Sequence, residues 1–246
     1  MKHQKNPYQL TKKQHVFPAK SLARFADTSD NRLAVRLLCH SKEIRVLPSN
    51  EVFCAMRVWD HGGERGTKHI EDKFQAVADQ ICTIRRSLED DQHLIVTEFF
   101  ALWAARAELK ANPIGDVPLI GVTGKQMQYT RDEQEMLEKN NIGYINEDLT
   151  MPGHQLASGV IMIRIGDYKR QHPRQRWGVV YSRTLEFIVP DQFGGKAIVP
   201  VTPRLCLVAD SPNNLASEQE VRMQNHVATR VARDYIAARS FADCGL

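Results

Sequence analysis

With 246 residues, 42% hydrophobic and 25% charged, the chain has an ordinary globular composition and is long enough to bury a core without covalent staples. No apolar run approaches the ~20 residues of a membrane-spanning helix, and the charged N-terminus lacks the apolar segment of a secretory leader. A cytoplasmic protein with no membrane partner is therefore expected. The five cysteines, at 39, 54, 82, 206 and 244, include no C-x-x-C pair, which argues against a zinc ribbon or a disulfide framework and fits a reducing compartment.

The formal charge of +4 is unevenly spread. Lys2, Lys5, Lys12, Lys13, Lys20 and Arg24 all precede the first acid, Asp27, and residues 1–14 read as a basic N-terminal arm. Pro18 then suits the start of a short helix. Leu33–Leu38 and Ile44–Leu47 read as strands joined by the polar turn His40-Ser-Lys-Glu. Ile70, Phe74, Val77, Ala78 and Ile81 recur at helical spacing. A second helix is expected from about Leu94 to Leu109, carrying Phe99, Phe100, Leu102 and Trp103 and closed by Asn112-Pro113. Thr130, with two early acids, opens another that ends near Asn141 and Gly143.

Beyond residue 150 the pattern changes. Val160–Ile165, Gly178–Tyr181, Leu185–Val189, Ala197–Val201 and Leu205–Val208 read as strands, with residues 191–196 as a turn between two of them. Ser217-Glu-Gln-Glu opens a final helix expected to run to about Arg239. Strands and helices come in runs instead of alternating, which predicts an α+β fold. Residues 15–246 would form one domain, with the helical middle packed on a largely antiparallel sheet and a C-terminal helix.

His15-x-x-Pro18 with Leu22 and Phe25 resembles the opening motif of a broad family of uncharacterised, mainly microbial proteins, the domain of unknown function numbered 4238. The resemblance continues in order through a short hairpin, Ile70-Glu71, the segment with Thr97, Phe99, Leu102 and Arg106, Pro190-Asp191, Pro200-Val-Thr-Pro203 with Leu205, and finally Asn225 and Ala232. It covers most of the chain and implies no reaction.

More locally, His15, Asn31 and His40 resemble a His–Asn–His nuclease finger. In that scheme His15 is the general base, Asn31 orients it, and His40 helps hold a divalent metal, Mg or Mn, on the scissile phosphate. Glu71 and Asp191 are further candidate metal ligands. Lys12, Lys13, Arg106, Arg174 and Arg176 are candidate phosphate grips, the last two within a basic stretch (Arg164, Lys169, Arg170, Arg174, Arg176, Arg183) whose one acid is Asp167. Trp177 beside them is either a stacking platform for a base or a strand-edge aromatic. Glu71 and Arg106 are equally readable as a buried pair that fixes the register of two helices.

Nucleic acid is thus the expected partner, with metal-dependent phosphodiester hydrolysis as the enzyme reading. The alternatives are a non-catalytic regulatory or protein-interaction module, and a small-molecule enzyme with its pocket between sheet and helices near Glu71 and Arg106.

Overall fold

The computed structural model describes residues 8–84, 87–123, 127–193 and 197–246. Its first half runs β1 (Lys13–His15), α1 (Ala19–Ala23), β2 (Leu33–Leu37), β3 (Lys42–Val46), β4 (Cys54–Met56), α2 (His61–Ile84), α3 (Asp90–Ala111), β5 (Val117–Pro118) and α4 (Arg131–Lys139). The second half runs β6 (Thr150–Met151), α5 (Gly153–Gln171), β7 (Trp177–Ser182), β8 (Val189–Pro190), β9 (Ile198–Thr202), β10 (Leu205–Ala209), β11 (Asn214–Ala216), α6 (Glu218–Val231) and β12 (Tyr235–Ala238).

The fold is α+β, with two four-stranded sheets ordered β11-β7-β10-β9 and β3-β2-β12-β8. Pairing is antiparallel except between β11 and β7. Helices α2, α3 and α5 pack on one another. Among the described residues, no helix is long and apolar enough to cross a membrane.

Helix α3 is buried on nearly all sides, so its apolar residues are not confined to one stripe; Val96, Phe99, Leu102 and Trp103 are each no more than 2% exposed. It meets α2 through Phe99, stacked on Phe74 at 3.6 Å between ring centroids. The helix starts follow capping chemistry. Thr130 with Glu133, and Ser217 with Glu220, each form a reciprocal capping box at the head of α4 and α6.

The structure differs from the sequence reading at four places. Val160–Ile165 lies inside α5, not in a strand. A short apolar run fits either state, and the wider window decides it, because Ala157, Ile161 and Ile165 form a buried face at helical spacing. The last helix stops at Val231, and Tyr235–Ala238 become β12, a central strand between β2 and β8 that is buried throughout. Within Leu185–Val189 only Val189 enters a strand. The basic arm is not free along its whole length, since Lys13 and Gln14 belong to β1, which pairs with β4. Lys2 and Lys5, and Gly194–Lys196 of the expected turn, lie outside the described residues.

Candidate functional site

The structure does not bring the His–Asn–His set together. His15 ends β1, where its Nε2 donates to the Pro48 carbonyl at 3.2 Å and its Nδ1 lies 3.7 Å from Cys54 Sγ. Pro48 follows β3, so His15 sits at the end of the β2–β3 hairpin where Leu33 pairs with Val46. Asn31 precedes β2 at that same end, exposed, with φ at 56°. His40 lies in the exposed turn at the opposite end, beyond the Leu37–Lys42 pair. At about 3.3 Å per residue, the length of β3 separates His15 from His40 by on the order of 13 Å, well beyond the reach of two ligands to one metal.

The candidate metal ligands are also dispersed and engaged. Asp191 is 7% exposed and accepts from the Arg233 and Asp234 backbone N–H groups at 2.9 and 3.1 Å. Burial raises its carboxyl above the usual range against the pull of those two hydrogen bonds. Glu71 faces Arg106, which is 1% exposed; Nη1 of Arg106 lies 2.7 Å from Glu71 Oε1. Arg106 Nη2 donates to Thr67 Oγ1 at 2.9 Å, and the guanidinium stands over the Trp59 ring at 5.3 Å. That enclosure leaves Arg106 as an interhelical fastener with no face turned to a phosphate. Among the described residues, no three His, Cys, Asp or Glu side chains gather as a metal-binding group.

The basic stretches are largely neutralised. Lys12 pairs with Glu135 at 3.4 Å, Lys13 with Glu51 at 3.1 Å, and Lys20 and Arg24 both pair with Asp79. In the later stretch Lys169 pairs with Glu98, Arg170 with Asp167, and Arg176 with Asp90 at 2.8 Å. Arg174 is exposed on a crevice of about 520 Å³, whose lining includes Asp90. Trp177 is 2% exposed, with Nε1 donating to Thr97 Oγ1 at 2.9 Å, so its ring is core and not a platform for a base.

Positive charge that is only partly compensated collects elsewhere, where Arg204 shares the Glu186 carboxylate with Arg239. A crevice of about 770 Å³ opens between Cys82, near the C-terminal end of α2, and the sheet β11-β7-β10-β9. Strand register builds its floor: Tyr181 lies opposite both Leu205 and Leu215, and Leu205 lies opposite Thr202. The alternate residues Val180, Cys206 and Ala216 face the other way and pack with Val221 of α6. Gly178 is required here, because a Cβ at that position would run into the Ser211 and Pro212 carbonyl oxygens. The close approach lets Asn213 Oδ1 accept from Val179 N at 2.7 Å, which anchors the wall leading into β11.

Arg183 and Arg204 stand on this crevice, and no carboxylate is among its described lining residues. Arg204 Nη1 donates to the Arg183 carbonyl at 2.7 Å, so one arginine is held in place by the backbone of the other. Its Nε is 3.8 Å from Glu186, a carboxylate engaged by Arg239 through both oxygens. Arg183 forms no ion pair among the described residues. Of the other polar groups, the Thr202 hydroxyl accepts from Arg204 N, the Ser182 hydroxyl donates to the Leu185 carbonyl, Asn213 has committed its oxygen to Val179 N, and Asn214 Oδ1 is a buried acceptor without a hydrogen-bond partner among the described residues. Cys82 also lines the crevice, but burial raises its thiol above the ordinary range, which suppresses the thiolate. The arrangement is a cationic cleft with no carboxylate and no histidine among its described lining residues.

Sequence reasoning passed over Arg204 and Asn213, and placed Arg183 only within a basic run. The usable signals were slight: an arginine directly after Pro203, and an Asn-Asn pair after Pro212. No family model matches the chain, and no curated protein or solved structure matches it.

Proposed function

We propose that the protein is a non-catalytic nucleic-acid-binding module that takes phosphates on Arg183 and Arg204. The observation that carries this reading is the crevice itself: two arginines, one braced by the other's carbonyl, with no carboxylate among the described lining residues. Arginine presents a planar fork of donors that matches phosphate oxygens, and bracing lowers the ordering cost of binding. The placing of His40 at the end of the hairpin opposite His15 and Asn31 lends the His–Asn–His scheme no support, while the cationic cleft supports the nucleic-acid partner.

The test is fluorescence anisotropy with labelled single-stranded DNA and RNA of mixed sequence over a salt series. Binding is expected to weaken with salt, and the slope of log K against log salt is expected to fall by roughly 0.7 for each arginine removed in Arg183→Ala and Arg204→Ala. Absence of binding at low salt, or equal affinity in the double variant, overturns the reading. Cleavage by the wild type with magnesium or manganese, lost in a folded His15→Ala variant, would replace it with the hydrolytic one.

A further inference from the structure

Resting on that reading, we infer that the crevice is built for a single nucleoside monophosphate unit, free or at the end of a strand, with its phosphate on Arg183 and Arg204 and its base against Tyr181 and Leu215. The volume of about 770 Å³ falls in the range of roughly 300–1,000 Å³ typical of small-molecule sites. A site for backbone phosphates alone would need only a charged surface. This one also has an apolar floor. Tyr181 and Leu215 are cross-strand partners on β7 and β11, and Leu215 is left 51% exposed.

The two halves of the crevice have different chemistry. Arg183 directly follows β7, and Arg204 sits in the turn between β9 and β10. These two supply positive charge at one end of the sheet. Tyr181, Leu205 and Leu215, which lie opposite one another on β7, β10 and β11, form the adjoining floor. The two parts adjoin in one crevice, an arrangement suited to a ligand with an anionic head and a flat apolar body. Aromatic side chains stack on bases irrespective of sequence, so the floor favours any nucleobase over a bare phosphate. Asn213 is exposed, and with its oxygen accepting from Val179 N its N–H₂ group is a further donor.

The experiment is isothermal titration calorimetry of the full chain with AMP, UMP, adenosine and inorganic phosphate. AMP and UMP are expected to bind at least about tenfold more tightly than either adenosine or inorganic phosphate. Tyr181→Leu, which keeps an apolar floor and removes the ring, should weaken AMP about tenfold and leave inorganic phosphate unchanged. Leu215→Ala, at an exposed position, makes the same test if the first variant does not fold. Arg204→Ala should weaken every phosphate ligand.

A 5′-phosphorylated oligonucleotide that competes with AMP, while its 5′-hydroxyl form does not, assigns the unit to a strand end. Competition by neither form assigns it to free nucleotide. If AMP binds no better than inorganic phosphate, or if both floor variants bind AMP like the wild type, the inference fails while arginine-dependent oligonucleotide binding leaves the broader reading standing. If neither nucleotides nor oligonucleotides bind, both fail together. Binding of an acidic peptide that displaces AMP, with oligonucleotides inert, would likewise end both.

Discussion

Arg106 and Glu71 meet across the α2–α3 interface, with Nη1 of the arginine 2.7 Å from Oε1 of the glutamate and the arginine 1% exposed. Glu64 stands about two turns earlier on α2, 3.7 Å from Nη2 of the same guanidinium, and it also accepts from Trp59 Nε1 at 2.5 Å. The His15 carbonyl closes the ring of partners at 3.3 Å from Nη1. A charge this deeply enclosed is tolerated only because several acceptors surround it. Arg106→Ala is expected to strand Glu64, Glu71 and Thr67 together and to cost about 3–5 kcal/mol in urea unfolding. Glu71→Gln keeps a hydrogen-bond acceptor and should cost less than half as much. Equal losses for the two would show that the glutamate's charge, not the arginine's several contacts, holds the helices.

Glu138 gives the fold a definite acid limit. Its Oε2 lies 2.5 Å from Arg57 Nη2 and 3.4 Å from His154 Nε2, and its Oε1 accepts from the His61 N–H at the head of α2 at 3.2 Å. Burial raises the carboxyl, but the close approach of His154 and the Arg57 hydrogen bond outweigh it and bring it down from 4.5 to about 2. A depressed folded-state pKa supplies stability that is complete above the unfolded value and lost as pH falls toward the folded one. Wild-type stability should therefore decline between about pH 5 and pH 2, with a contribution from this residue on the order of 3 kcal/mol. Asp191 works in the opposite direction, since its carboxyl is raised by burial. Glu138→Gln isolates the first effect: it should lower stability at neutral pH and flatten the profile below pH 5. An unchanged acid slope in this variant would locate the limit elsewhere.

Much of the helical layer was legible in the amino-acid pattern because each helix carries its own signal. The repeat Ile70, Phe74, Val77, Ala78, Ile81 needs only local spacing, and all five residues are no more than 4% exposed. Thr130 and Ser217 announce α4 and α6 by capping chemistry. Strand β12 carried no such signal, because Tyr235 and Ile236 continue the helical spacing of Val227 and Val231 and become a strand only through pairing with β2 and β8. The crevice was illegible for a related reason. Arg183 and Arg204 are 21 residues apart and meet only because β7 and β10 pair, so their joint charge exists in the sheet and not in any run of sequence. The runs that did stand out, around Lys12 and Arg176, are the ones whose charge folding pairs with Glu135, Glu51 and Asp90.

Gly178 should link stability to ligand binding. A side chain there would meet the Ser211 and Pro212 carbonyl oxygens, both backbone atoms that cannot rotate away. Gly178→Ala is expected to push the segment leading into β11 off β7 and to break the Asn213–Val179 hydrogen bond of 2.7 Å. Overpacking of this kind costs about 1–3 kcal/mol. Because the displaced segment carries Asn213 and Leu215, oligonucleotide affinity should fall even where the variant remains folded by circular dichroism. Full binding in a folded Gly178→Ala protein would detach the β11 wall from the site.

Gln14 is the residue that turns the N-terminal segment into part of the body. It is 0% exposed; its Nε2 donates to the Trp59 carbonyl at 2.5 Å, while its Oε1 accepts from Val58 N at 2.8 Å and from Trp59 N at 3.2 Å. One side-chain amide thus satisfies three backbone groups just ahead of α2, where no strand ladder serves them. Gln14→Leu preserves the volume and leaves those groups buried without partners, at about 1–3 kcal/mol for each that water cannot reach. The expected loss is about 3 kcal/mol or more, and hydrogen exchange should quicken across residues 12–16 and 54–59 before it changes in α3. Gln14→Glu keeps the acceptor but removes the donor, so it should retain part of the protection. Uniform exchange across the whole chain in Gln14→Leu would mean that β1 and the body unfold as one unit, and that this amide is not the boundary between them.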